Sequence, residues 1–178
     1  MSRAPIRFFF DTLASPIGDL LLATDDAGVL RALDFEDHEE RMRRLLRRRY
    51  GEVTLTPGSA PEAVTGPIRR YFAGEFDALR NVPWRTAGTA FQQAAWEGLT
   101  RIPPGQTLSY GAFAARLGAP TAVRAVGLAN GANPVALVAP CHRVIGADGS
   151  LTGFGGGLHR KAWLLRHEGA LFVDRAAA

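Results

Sequence analysis

Residues 80–88, Arg-Asn-Val-Pro-Trp-Arg-Thr-Ala-Gly, carry no apolar periodicity and follow the last acid-rich stretch, so the chain is expected to form two domains, 1–86 and 87–178. With 178 residues, 47% of them hydrophobic, it can bury a sizeable core. Charge divides at the same place. Residues 1–86 hold 13 arginines against 13 acids, whereas residues 87–178 hold eight bases against four, so the whole net charge of +4 lies in the second part. That asymmetry favours a negatively charged partner, nucleic acid first, although +4 alone also fits a solvated surface. No apolar run approaches the roughly 18 residues of a membrane span, and Phe8-Phe9-Phe10 is bracketed by Arg7 and Asp11. Neither a transmembrane helix nor a secretory leader is expected, and the reading is a soluble, cytoplasmic protein. One cysteine, Cys141, excludes an internal disulfide framework and metal sites built on paired thiolates.

In the first part, the runs Ile6–Phe10, Leu20–Thr24 and Val29–Phe35 are separated by Ser15-Pro16-Ile17-Gly18 and Asp25-Asp26-Ala27-Gly28. Those are turn compositions, and the runs read as an antiparallel meander. From His38 to Tyr50, Met42, Leu45 and Leu46 fall at helical spacing with Arg43, Arg44, Arg47 and Arg48 around them. Glu36, Asp37, Glu39 and Glu40 precede those arginines, which favours dipole pairing on a solvated helix over nucleic-acid binding. A second helix is expected around Pro61–Phe72.

The second part opens with a capping box, Thr89 and Gln92, and a helix ending before Pro103-Pro104-Gly105. Ser109–Leu117, Gly118-Ala119-Pro120 and Thr121–Asn130 then have helix-turn-helix spacing, with Phe113, Ala114, Leu117, Val123 and Val126 as inward contacts. The same spacing also describes many helical bundles. Val135–Ala139 reads as a short buried strand delivering Cys141 to its end, and Asp148-Gly149 as the turn of a hairpin between Val144-Ile145 and Ser150-Leu151-Thr152. A glycine-rich loop from Gly153 to Gly157 leads to a last helix, Leu158–Glu168, stopped by Gly169.

A lone cysteine is most often an inert buried hydrophobe. Here Pro140-Cys141-His142-Arg143 sets an imidazole and a guanidinium beside the thiol, a setting that favours the reactive thiolate. In an extended segment His142 and Cys141 would point to opposite faces, so a turn or a bridging water is required. Glu168 sits in the last turn of its helix, where the dipole disfavours a carboxylate. A protonatable His142 would compensate it, giving a nucleophile, base and orienter; Arg166 or His167 would serve equally for a surface carboxylate.

Asn133-Pro134-Val135 through Pro140-Cys141-His142-Arg143-Val144-Ile145-Gly146, with Gly155-Gly156-Gly157, Trp163-Leu164-Leu165 and His167-Glu168-Gly169, resembles the O6-alkylguanine-DNA alkyltransferases, the methylated-DNA–protein-cysteine methyltransferases. The resemblance runs from about Thr89 to Gly169 and reaches, more loosely, Tyr71–Glu75. It implies an α+β fold: an N-terminal three-stranded antiparallel sheet with helices, followed by a winged-helix-like helix-turn-helix domain. It also implies direct repair, in which Cys141 takes the alkyl group of O6-alkylguanine in double-stranded DNA permanently, as a monomer and without metal or organic cofactor.

By position, the resemblance gives His142 the relay of the thiol proton through a water and Glu168 the holding of His142. Asn133 would brace the cysteine segment, and Tyr110 would hydrogen-bond the departing guanine at N3. Val144, Phe154, Gly155 and Gly156 would form the substrate pocket. Ser109, Thr121, Arg124 and Ala125 would face the DNA, with Arg124 filling the stack vacated by a flipped nucleotide. Phe154 stands where many relatives have tyrosine, and Gly131 where some have a basic residue. Two other readings compete: a lesion-recognition module that transfers nothing, and a cysteine hydrolase using Cys141 and His142.

Overall fold

The structure is a computed structural model that describes residues 4–175. It divides into two compact units, Met1–Gly88 with Pro134–Ala136, and Thr89–Asn133 with Leu137–Ala178.

The first unit is built on a sheet. β1 (Ile6–Leu13), β2 (Leu20–Thr24) and β3 (Leu30–Phe35) form the expected meander, with Leu13 opposite Leu20 and Leu22 opposite Leu33. The β2–β3 turn closes on Asp25, whose Oδ1 accepts from the amides of Ala27 and Val29 at 3.0 Å while Gly28 takes φ +77°. A single 3-10 turn, Glu36–His38, leads into α1 (Glu39–Tyr50), which lays Met42 and Leu46 on Phe8, Leu21, Ala23 and Ala32. This is the apolar stripe expected of an amphipathic helix.

The meander gains a fourth strand that the sequence did not announce. β4 (Val53–Pro57) pairs parallel with β1, giving the order β3-β2-β1-β4. Its Val-Thr-Leu-Thr-Pro run is short and only partly buried, and it ends in a proline, as edge strands tolerate. The opposite edge is covered: the Leu30 amide donates to Pro83 O at 2.9 Å, the Arg85 amide donates to Leu30 O at 3.0 Å, and the Leu33 amide donates to Pro134 O at 2.8 Å. The helix α2 (Glu62–Phe72) completes the layer, burying Val64, Ile68 and Tyr71.

In the second unit, α3 (Ala90–Leu99) starts on the reciprocal Thr89–Gln92 capping box and buries Ala95, Trp96 and Leu99. The Trp96 indole N–H donates to Ala129 O at 2.9 Å, fixing the second helix of the helix-turn-helix pair near its end. A two-residue strand, β5 (Leu108–Ser109), runs into α4 (Tyr110–Arg116), which Ser109 caps by accepting from the Ala112 amide at 3.0 Å. After Gly118 at φ +73°, α5 (Val123–Gly131) follows. Phe113, Ala114 and Val126 face inward as expected, but Val123 is exposed at the start of its helix. The last elements are β6 (Val144–Ile145) and α6 (Leu158–His167), the latter ending at Gly169 with φ +73°.

Two local expectations are corrected. Val135–Ala139 is fully buried but consists of turns, with Leu137 at φ +74° and one bridge from Val135 to Leu33. Its unbroken apolar character reflects burial rather than extension. Residues 146–150 do turn, with Gly146 N donating to Ser150 O at 2.8 Å, yet no hairpin ladder forms. β6 pairs parallel with β5, and Ser150 bridges to Val173. The α+β class with a sheet followed by a helix-turn-helix unit holds, with a four-stranded sheet in place of three strands. No helix among the described residues is long and apolar enough to cross a membrane.

Candidate active site and nucleic-acid interface

Cys141 does not leave a strand; it opens a 3-10 turn, Cys141–Arg143. That turn resolves the geometric difficulty of adjacent residues acting together, because it breaks the alternation of an extended chain. All three side chains are buried. The turn is pinned from upstream, where the Cys141 amide and the Asn133 Nδ2 both donate to Ala139 O, each at 2.8 Å. Asn133 thus braces the segment through a carbonyl two residues before the thiol.

Glu168, the cap residue of α6, is the partner of His142 rather than of the surface groups. His142 Nε2 lies 2.8 Å from Glu168 Oε1, both side chains fully buried. Arg166 pairs instead with Asp174, and the His167 ring stacks on Trp163. Arg143 donates to the same carboxylate through Nε and Nη2, at 3.0 Å to Oε2 and 2.8 Å to Oε1, and through Nη1 to Ile102 O at 2.7 Å. Burial alone would raise the Glu168 carboxyl, but His142 and Arg143 outweigh it and hold it well below its ordinary value. Burial pushes the His142 imidazole down; Glu168 opposes that, while Arg143 and Lys161 add to it. A neutral ring donating Nε2–H to the carboxylate leaves Nδ1 as the basic nitrogen. That Nδ1 is buried and has no hydrogen-bond partner among the described residues.

The thiol opens on a cleft of about 240 Å³ lined by Tyr110, Gly127, Asn130, Gly131, Cys141 and the loop Thr152–Gly155. Four expected residues therefore meet there: Tyr110, Cys141, Phe154 and Gly155. The Tyr110 hydroxyl donates to Thr152 O at 2.8 Å, and burial pushes its ionisation to higher pH, so it remains a donor at neutral pH. Val144 and Gly156 lie outside the cleft. The Val144 amide and carbonyl already bond Cys141 O and Lys161, and Gly156 O accepts from Arg160 at 2.9 Å. Arg124 and Thr121 are exposed, Ala125 is half-buried, and Ser109 is the α4 cap; none lines the cleft.

Two participants escaped the sequence reading. Lys161 on α6 is completely buried, its ammonium donating to Val144 O at 2.7 Å and Gly153 O at 3.1 Å, with the Tyr110 ring centroid 5.9 Å away. It joins β6 to the loop that walls the cleft. Burial lowers it to about 8, and the Cys141 charge works against that fall. A lysine on a helix ordinarily reads as a solvated charge. Asn130 lies in the cleft wall with both amide atoms buried and without a hydrogen-bond partner among the described residues.

The chain is similar to known proteins along nearly its whole length. Residues 90–170 match the family profile of the 6-O-methylguanine DNA methyltransferase DNA binding domain, and residues 9–86 that of the ribonuclease-like domain of the same proteins. A methylated-DNA–protein-cysteine methyltransferase of Shigella flexneri is 44% identical over 170 residues, covering 94% of this chain and 99% of its own. One from Mycobacterium bovis is 45% identical over 159 residues, covering 89% and 91%. The crystal structure of Mycobacterium tuberculosis OGT in complex with DNA superposes with a TM-score of 0.72 at 43% identity, over 90% of this chain and 92% of that one. With both profiles matched in order and relatives at this identity over nearly the whole length, the chain belongs to the 6-O-methylguanine DNA methyltransferase family.

Proposed function

We propose that this protein repairs O6-alkylguanine in double-stranded DNA by moving the alkyl group irreversibly to Cys141, one event per molecule. The observation that carries the reading is the buried His142–Glu168 pair directly following a cysteine that faces the cleft. The Cys141 proton passes to His142, through a water, and the Sγ–carbon bond forms as the carbon–O6 bond breaks. The bonding pair stays with the guanine, which takes up a proton. Tyr110 exchanges its Thr152 acceptor for guanine N3 and offsets the charge developing on the departing base. Glu168 keeps His142 in the useful tautomer, and Asn133 holds the turn. No cofactor enters this balance. The O6 carbon of a paired guanine cannot be approached in line, so the nucleotide is flipped out before reaction. We place this repair in the cytoplasm, by a monomer.

Intact-mass measurement after incubation with an O6-methylguanine duplex tests the reading: a permanent gain of one methyl per molecule supports it. An unchanged mass with bound DNA would indicate a recognition module, and repeated turnover a hydrolase.

Arg124 is exposed near the start of α5, where it can occupy the gap left by the flipped base. Unstacking costs a few kcal/mol, so Arg124→Ala is expected to slow duplex repair by roughly tenfold or more even at saturating DNA. A lone phosphate contact would behave otherwise, its loss being restored by saturation. Recovery of the wild-type rate at saturating duplex therefore rejects Arg124 as the stack-filling residue.

Lys161 is a positioning residue. Its charge favours the neighbouring thiolate, and it is lost as pH rises through about 8. The single-turnover rate, which rises with the thiolate fraction, is expected to level off as pH passes through about 8. Lys161→Met should lower the neutral-pH rate by about tenfold, the effect of losing about 1.4 kcal/mol of charge stabilisation at the thiolate. The variant should lack this levelling and keep rising; a profile parallel to the wild type would refute the assignment.

A further inference from the structure

The outward face of α5 is built unlike a solvated helix face. Arg124, Gly127, Leu128 and Gly131 are all exposed there, and Leu128, at 70%, is among the most exposed large apolar side chains of the described residues. Such a face ordinarily carries polar residues. This one bears a single charge, an upstanding leucine and two bare positions: nothing lies within 4 Å of where a Cβ would stand on Gly127 or Gly131. Gly127 and Gly131 also belong to the wall of the Cys141 cleft, so the apolar face is continuous with the cleft mouth. Leu128 follows Arg124 by four residues, one helical turn, which puts both on the same side.

We propose that Leu128 is a second DNA-contacting residue, an apolar wedge that packs against sugars and base edges of the minor groove beside the nucleotide Arg124 replaces. This rests on the function proposed above. The occupant is duplex DNA rather than a protein, because the face adjoins the opening that must admit an extruded nucleotide and lies in the half of the chain that carries all the excess positive charge. The flanking glycines allow the helix backbone to come close, and an apolar side chain inserted at the groove floor favours a bent, locally unstacked duplex. As an uncharged contact it releases no counterions, which separates it from every arginine on the surface.

The test is duplex binding by fluorescence anisotropy across a salt series, with undamaged and O6-methylguanine duplexes, for Leu128→Ser and Leu128→Met. Leu128→Ser is expected to weaken binding about fivefold, the effect of losing a partly buried leucine contact, with the slope of log affinity against log salt unchanged. Leu128→Met should stay within about twofold of the wild type, because it keeps the apolar volume. Both variants should melt at the wild-type temperature, as befits an exposed position. Wild-type affinity in Leu128→Ser overturns the proposal, as does an equal loss in both variants, a lowered melting temperature or a changed salt slope. If the wild-type protein takes up no methyl group, the repair reading fails, while binding to the undamaged duplex still decides the role of Leu128.

Discussion

Cys141→Ser is expected to leave the intact mass unchanged after incubation with an O6-methylguanine duplex, while retaining duplex affinity close to that of the wild type. A hydroxyl ionises far above a thiol and is the weaker nucleophile, so the His142–Glu168 pair cannot generate a comparable attacking species from serine. The exchange is nearly isosteric, and the bonds from the Cys141 amide and Asn133 Nδ2 to Ala139 O do not involve the thiol, so the turn should persist. The exposed α5 side chains are untouched. Intact-mass spectrometry with anisotropy checks both halves of the expectation. A methyl group gained by the serine variant would remove Cys141 as the acceptor.

Glu168→Gln should combine a large stability loss with a large kinetic one. The carboxylate accepts from His142 and, through both oxygens, from Arg143, with its side chain fully buried. An amide cannot neutralise Arg143, and breaking a buried pair by removing one partner costs about 3–5 kcal/mol. The single-turnover rate should fall by roughly 10²-fold, since His142 loses the acceptor that sets its tautomer. The variant should also lose part of its acid sensitivity. In the wild type, the Glu168 carboxyl is held below its usual 4.5, so its contribution is complete above that pH and is lost on acidification. His142, held below 6.5, acts in the same direction, because the unfolded chain binds a proton that the buried ring refuses. Denaturant unfolding from neutral to acid pH should show the stability gap between the two proteins narrowing as pH falls. A constant gap would contradict the depressed carboxyl.

What could be read beforehand depended on whether the signal was local. The meander was legible because Asp25 and Gly28 close their turn with their own side chain and backbone. The α3 start was legible because Thr89 and Gln92 bond each other. β4 was not, since an edge strand needs neither a long apolar run nor a full set of donors. Val135–Ala139 misled because a buried apolar segment looks the same whether it is extended or turned. In the site, the helix dipole at Glu168 pointed to a compensating partner, but choosing His142 over Arg166 required a fold that joins positions 26 residues apart. Lys161 left no signal: its meaning comes from two backbone carbonyls supplied by β6 and the glycine loop.

The margins of the four-stranded sheet bear on self-association. On one margin the outer groups of β3 are engaged by Pro83, Arg85 and Pro134; on the other, β4 is five residues long, alternates with threonine and ends in Pro57, whose nitrogen has nothing to donate. Neither margin offers a long run of unpaired amides on which another molecule's strand could template. For a reagent consumed one molecule per lesion, capacity scales with the number of copies kept in solution. Blunted sheet margins let that number rise without seeding aggregates from the unit that carries the sheet.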